Sequence, residues 1–92
     1  MDWKIGLTKK AAKQYQKLPK AVRDIVDVLM LELRKAGPIR GNWRNYSKLS
    51  DVRHHCHVKK GKPTYVVVWE VVDDQVRVVE VTYVGTHEKA PY

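Results

Sequence analysis

Cysteine is almost missing: Cys56 is the only one in 92 residues. With no internal disulfide to draw on, the fold has to stand on packing alone and suits a reducing compartment, so the cytoplasm is the expected location. No apolar run approaches the roughly 20 residues that span a bilayer, and Met1-Asp2-Trp3-Lys4 lacks the basic-then-apolar order of a signal peptide. Neither a membrane partner nor export is expected. Acid is scarce as well, since 10 Asp and Glu against 18 Lys and Arg leave a net charge of +8. A field of that sign on so short a chain attracts polyanions, nucleic acid first among them. The bland alternative is a basic surface that serves solubility only.

Other absences narrow the chemistry. There is no Gly-rich phosphate cradle, no Ser-His-Asp arrangement and no carboxylate pair spaced for sugar hydrolysis. No internal repeat, low-complexity segment or linker interrupts the chain, whose length supports one domain over residues 1–92. What is there argues for a folded chain: 43% hydrophobic residues with three Trp and five Tyr exclude disorder, and 30% charged residues exclude a membrane-embedded protein.

Trp3, Ile5 and Leu7 alternate with polar or small neighbours, which predicts a short first strand. Thr8 can cap a helix whose apolar stripe is Ala11, Tyr15 and Leu18. Pro19 suits the first turn of a second helix with Val22, Ile25, Val26, Leu29 and Leu33 on one face, stopped by Gly37-Pro38. After a loop from Gly37 to Asn42, strands are expected near Tyr46 to Leu49, His54 to Lys59, Tyr65 to Val72 and Val76 to Val84. Lys60-Gly61-Lys62-Pro63 and Asp73-Asp74-Gln75 are the short turns, and short turns demand antiparallel neighbours. The expected class is α+β: an N-terminal strand and a two-helix hairpin packed on a twisted, mostly antiparallel sheet.

The unusual feature is Arg53-His54-His55-Cys56-His57-Val58-Lys59, with three of the four histidines inside a strand. Strand parity puts Arg53, His55, His57 and Lys59 on one face and His54, Cys56 and Val58 on the other, which is the set that prefers a core. His55 and His57 are then the exposed pair, and His54 keeps a structural reading. His87 follows Gly85-Thr86 where the chain leaves the last strand, so its side chain can turn over the sheet toward His57. Two imidazoles titrating near neutrality can divide general base and general acid between them, as cleavage of RNA through its own 2′-hydroxyl requires. One takes the 2′-proton and the other gives a proton to the 5′-oxygen; parity does not say which. Arg53, Lys59, Lys60, Lys62 and Arg77 are the cations available to a transition state with added negative charge. Trp43, Tyr46 and Tyr92 could stack on bases, although Trp43 and Tyr46 suit core packing equally well. A metal is the competing use of the cluster, through His55, His57 and either His87 or Cys56. Sparse carboxylates and cationic surroundings weigh against it, and neither metal nor cofactor is expected.

Three stretches carry a family resemblance. Gly41-Asn42-Trp43-Arg44-Asn45-Tyr46 is similar to the Gly-x-Trp-x-x-Tyr stretch of YafQ-like toxins, and Cys56-His57-Val58 and Gly85-Thr86-His87 to their Cys/Ala-His-Ile and Gly-Thr-His segments. With the Thr8-Lys9-Lys10-Ala11 entry, the Lys17-Leu18-Pro19 break and the order of elements, nearly the whole chain resembles the RelE/ParE superfamily of type II toxin–antitoxin modules. The resemblance implies a RelE-like fold and a ribosome-dependent mRNA interferase cutting in the A site, with His57 and His87 as acid/base residues and His54 or His55 assisting. It further implies the ribosome, mRNA and a cognate antitoxin as partners; a disordered acidic segment is the physical route to covering a basic groove. The branch's Pro-Asp-Trp turn is replaced by Gly61-Lys62-Pro63-Thr64-Tyr65, which has no acid, so either the lysines supply charge there or the activity is altered. The superfamily also holds ParE-type gyrase poisons without a ribonuclease site, and a basic RNA-binding module without chemistry is the third reading.

Overall fold

Residues 2–92 are described by a computed structural model. The alternating Trp3-to-Leu7 segment forms strand β1 (Lys4–Leu7), and Thr8 turns the chain into helix α1 (Lys9–Gln16), its Oγ1 accepting from the Ala11 N–H at 3.1 Å. The helix ends two residues short of Leu18 because the Lys17 and Leu18 N–H groups close tight turns onto Gln14 and Tyr15. Pro19 stands at the N-cap of α2 (Lys20–Ala36) rather than inside its first turn, since its ψ of 146° is extended. Val22, Val26, Leu29 and Leu33 form the buried stripe of α2 at i, i+4, i+7 and i+11. Gly37 ends it for two reasons: its φ is 94°, and a Cβ there would come 3.0 Å from Trp3 Nε1.

The second half makes β2 (Ser47–Lys48), β3 (Arg53–Lys59), β4 (Tyr65–Asp73) and β5 (Val78–Thr86), followed by a single 3-10 turn at His87–Lys89. The sheet order is β1-β5-β4-β3-β2. Strands β2 to β5 form the expected antiparallel meander, while β1 joins the free edge of β5 in parallel. That pairing is possible because the two helices carry the chain across the sheet from one edge to the other. Strand β5 begins two residues later than its apolar run. Asp73 Oδ1 accepts from the Gln75 and Val76 N–H groups at 2.9 and 3.1 Å, and Arg77, at φ 58°, prolongs the turn.

Alternation along these strands separates two faces. Cys56, Val58, Val67, Trp69, Val79, Val81 and Val84 meet the α2 stripe and Ala11 in the main core. Val66, Val68 and Tyr83 make a smaller cluster on the opposite face, packed against Leu49 and Ala90 and without a residue of α1 or α2. No helix among the described residues is long and apolar enough to cross a membrane.

Leu29 and Leu31 separate the contribution of the core from that of the helix itself, since Leu29 is fully buried and Leu31 is exposed. Leu29→Ala should cost about 2 to 5 kcal/mol and Leu31→Ala within about 0.5 kcal/mol, read as urea unfolding midpoints. Equal losses would contradict this assignment of the buried face.

Candidate functional site

The register of β3 against β4 and β5 builds the open face in rows. His57 lies opposite Val66, which lies opposite Gly85; one row along, His55 faces Val68 and Val68 faces Tyr83. The chain leaves β5 at Thr86, and the His87 N–H donates to the Thr64 carbonyl at 2.8 Å, tying the strand exit to the β3–β4 turn. The His87 ring then sits edge-on to His57, with centroids 5.3 Å apart. His55 is 5.9 Å from His57, and Tyr92 folds back to lie 4.5 Å from His55 and 6.1 Å from His87. Three imidazoles and one phenol thus share one patch of the sheet.

Tyr83 braces the exit that presents His87. Its hydroxyl donates to the Thr86 carbonyl at 2.7 Å, and the phenol lies over Gly85, where a Cβ would come 2.7 Å from the hydroxyl oxygen. Only a residue without a side chain fits under that ring.

His55 departs from the parity argument. It is on the predicted face but only 7% exposed, because Tyr92 covers it and its Nδ1 is hydrogen-bonded to Ser47 Oγ at 3.1 Å. Parity assigns a face and says nothing of what later folds over it. His54 has the structural placement expected of it: buried on the helix side, stacked parallel to Trp69 at 5.8 Å, with Nδ1 2.8 Å from the Tyr46 hydroxyl.

The electrostatics favour neutral imidazole. Burial holds His57 below the ordinary histidine range, and His87, His55 and Arg44 lower it further as nearby positive charges. His55 is lowered by burial, with hydrogen bonding to Ser47 opposing and His87 reinforcing, and His54 is lowered by burial and by Lys48. Cys56 is fully buried on the other face and its thiol is pushed up to about 12 by burial, so it is no ligand or nucleophile for this patch. Among the described residues, no group of three or more His, Cys, Asp or Glu side chains is placed to hold a metal ion.

The proposed cations divide. Lys59, Lys60 and Lys62 are exposed on and beside the β3–β4 turn, the turn to which His87 is tied. Arg53 shares the His57 face but lies four residues, roughly 13 Å, down the strand, opposite Glu70. Arg77 is a correction to the sequence reading: it precedes β5 at the opposite end, eight residues or roughly 26 Å from Gly85, with its guanidinium 5.9 Å from the Trp3 ring. A strand that long carries its two ends to different edges of the molecule. Trp43 is half-buried against the core, its Nε1 donating to Glu32 Oε1 at 2.9 Å, while it also walls a hollow beside His57. Arg44, which composition and parity did not single out, is the cation beside His57: its carbonyl accepts from the His57 N–H at 2.8 Å. Its place in the Trp43-to-Tyr46 stretch before the histidine strand was the available signal.

The same arrangement of strands and helices recurs in solved toxins. The chain is similar to a mutant of the E. coli toxin RelE in the free state, with a TM-score of 0.74 and 23% identity over 98% of this chain and 88% of that one. The fold is that of the RelE toxins. The archaeal RelE-RelB complex from Pyrococcus horikoshii OT3 matches with a TM-score of 0.69 and 18% identity, over 98% of this chain and 100% of that chain. The YoeB dimer from Staphylococcus aureus matches at 0.71 and 17%, over 95% of this chain and 99% of that chain. No protein-family model and no curated protein sequence matches the chain. Identity this low carries the fold, and the reaction has to be argued from the side chains on the open face.

Three histidines held below their ordinary range link the site to stability. Their neutral forms are favoured in the folded state, so this contribution is fully present above the unfolded value of about 6.5 and is lost as pH falls from there toward the depressed folded values. The urea midpoint should therefore decline as pH falls through about 6.5. A midpoint that stays level until the carboxylate range below about pH 5 would show that the histidines carry no such linkage.

Proposed function

We propose that this chain is the toxin of a type II toxin–antitoxin system, a single-domain endoribonuclease that cleaves mRNA in the ribosomal A site through the RNA's own 2′-hydroxyl. The observation that carries the reading is the pair His57 and His87, 5.3 Å apart on the open face of a RelE-type sheet in a chain of net charge +8. His57 is the base: burial and neighbouring cations hold it neutral, and a neutral imidazole accepts the 2′-proton. The resulting oxygen attacks the adjacent phosphorus, forming the 2′-O–P bond. His87, exposed at the strand exit, gives a proton to the 5′-oxygen as the P–O5′ bond breaks, leaving a 2′,3′-cyclic phosphate and a 5′-hydroxyl. Protonation and deprotonation balance within the pair, so acid/base chemistry suffices without a metal.

Lys59, Lys60 and Lys62 attract the phosphodiester backbone, and Tyr92 offers a ring on which an unpaired base can stack. His55, tucked beneath Tyr92, orients that ring. The Gly85-Thr86-His87 and Cys56-His57-Val58 segments favour the YafQ-like branch within the superfamily. An acidic, partly disordered antitoxin is the partner that a net charge of +8 calls for, as RelB accompanies the archaeal RelE, and the cytoplasm is where mRNA, ribosome and antitoxin meet.

Primer extension on an mRNA in a purified translation reaction, with and without ribosomes, tests the reading. The wild type should cut inside the A-site codon only when ribosomes are present, and His57→Ala and His87→Ala should each slow cleavage by about 10²- to 10⁴-fold. Cleavage by both variants at the wild-type rate would defeat the acid/base assignment. An intact message with arrested growth and DNA damage would instead indicate a gyrase inhibitor.

A further inference from the structure

Three side chains of the segment between α2 and β2 converge on a single oxygen atom. Glu32 Oε1, on α2, accepts from Arg40 Nη1 at 3.1 Å, Asn42 Nδ2 at 2.8 Å and Trp43 Nε1 at 2.9 Å. Those donors favour the charged carboxylate, and Asn42 foremost draws Glu32 below the usual range against the effect of its burial. Two backbone turns continue the clamp, Trp43 N–H to the Arg40 carbonyl at 2.9 Å and Tyr46 N–H to the Trp43 carbonyl at 3.3 Å. Asn45 completes the second turn at φ 54°, a left-handed conformation that asparagine tolerates better than most side chains. The result is that Arg44 is laid along the edge of β3 at the level of His57, where its carbonyl takes the His57 N–H.

The edge beside His57 is concave. Asn42, Trp43, Arg44, His57 and Val58 line a hollow of about 500 Å³, so His57 is the wall shared by this hollow and the patch that holds His87. The Arg44 side chain is exposed, and among the described residues its guanidinium has no hydrogen-bond or ion-pair partner. Arg40, four residues away, is by contrast consumed by Glu32. The clamp therefore ties down one arginine and leaves another facing the hollow.

We propose that this edge hollow is the subsite for the nucleotide flanking the scissile bond, with Arg44 pairing its phosphate and Glu32 acting as the positioning residue that sets Arg44 beside His57. The inference rests on the nuclease reading of His57 and His87. A planar guanidinium matches phosphate oxygens in a two-point contact that a lysine cannot reproduce. Substrate would then run from His87 across His57 to the sheet edge. Glu32 touches no substrate and acts only through the loop.

The same purified translation reaction tests it, using Arg44→Ala, Arg44→Lys, Glu32→Ala, Glu32→Gln and the double variant Glu32→Ala/Arg44→Ala, with Arg77→Ala as a control for loss of one remote positive charge. Arg44→Ala should slow cleavage by about 10²-fold, and Arg44→Lys should recover little of it, while Arg77→Ala stays at the wild-type rate. Removing the cation should also move the acid limb of the pH–rate profile to higher pH, because His57 then protonates more easily. Glu32→Ala should shift the profile the same way, Glu32→Gln should be partly rescued because an amide oxygen still accepts, and the double variant should be no slower than Arg44→Ala alone. Independent, multiplying losses would reduce Glu32 to a fold-stabilising residue and overturn its positioning role. If both histidine variants are inactive while Arg44→Ala cleaves normally, the subsite is wrong and the nuclease reading stands; if the histidine variants cleave normally, that reading fails and this inference with it.

Discussion

Everything on the open face depends on the register of β3 against β4. With His57 opposite Val66 and Cys56 opposite Val67, the strand turns His54, its cysteine and Val58 to the core side and the His55 and His57 imidazoles to the opposite face. A slip of one residue would exchange the two sets, burying His57 under the helices and exposing Cys56. The register is fixed from both sides. Trp69 and His54 stack within the core, and Tyr83, Val66 and Val68 pack on the other face. The shift between His57 and Lys59 comes after the last histidine, so it redirects Lys59 without disturbing the imidazoles.

Given that register, the charge around His57 is a consequence of topology. Strand β2 covers only the first part of β3, which leaves the Arg44 carbonyl, rather than another strand, to satisfy the His57 N–H. The antiparallel partner on the other side delivers the β3–β4 turn, where Thr64 accepts from His87. His57 is thus approached from both flanks by positively charged segments while its ring is partly shielded from water. That surrounding disfavours a resident proton and favours a bound anion, two preferences a base attacking near phosphate needs together.

The elements were legible in the sequence where periodicity was strong. The α2 stripe, the Thr8 cap and the stop at Gly37 follow from spacing and backbone preference alone, as does the assignment of His54, Cys56 and Val58 to the core. Parallel pairing of β1 was not legible, because a four-residue alternating segment carries no sign of which edge it joins. Nor was the burial of His55, which depends on Tyr92 returning from 37 positions away in the chain. Arg77 was misplaced for a related reason: its charge is visible in composition, but its distance from His57 is set by strand length and turn placement. Arg44 was overlooked because its role comes from a loop whose shape is set by Glu32, a helix residue that reads by itself as a solvated acid.

The pairing of the first strand with the last has a consequence for how the molecule comes into being. Strand β1 is made before the other strands and, among the described residues, finds its sheet partner in β5, which ends at Thr86, and His87 follows at once. During synthesis the N-terminal strand and helices must wait, without their sheet neighbour, until β5 has left the exit tunnel. Closure of the sheet and arrival of His87 beside His57 are therefore late and nearly simultaneous events. A nascent chain that has exposed only β1 to β4 therefore holds His57 without His87.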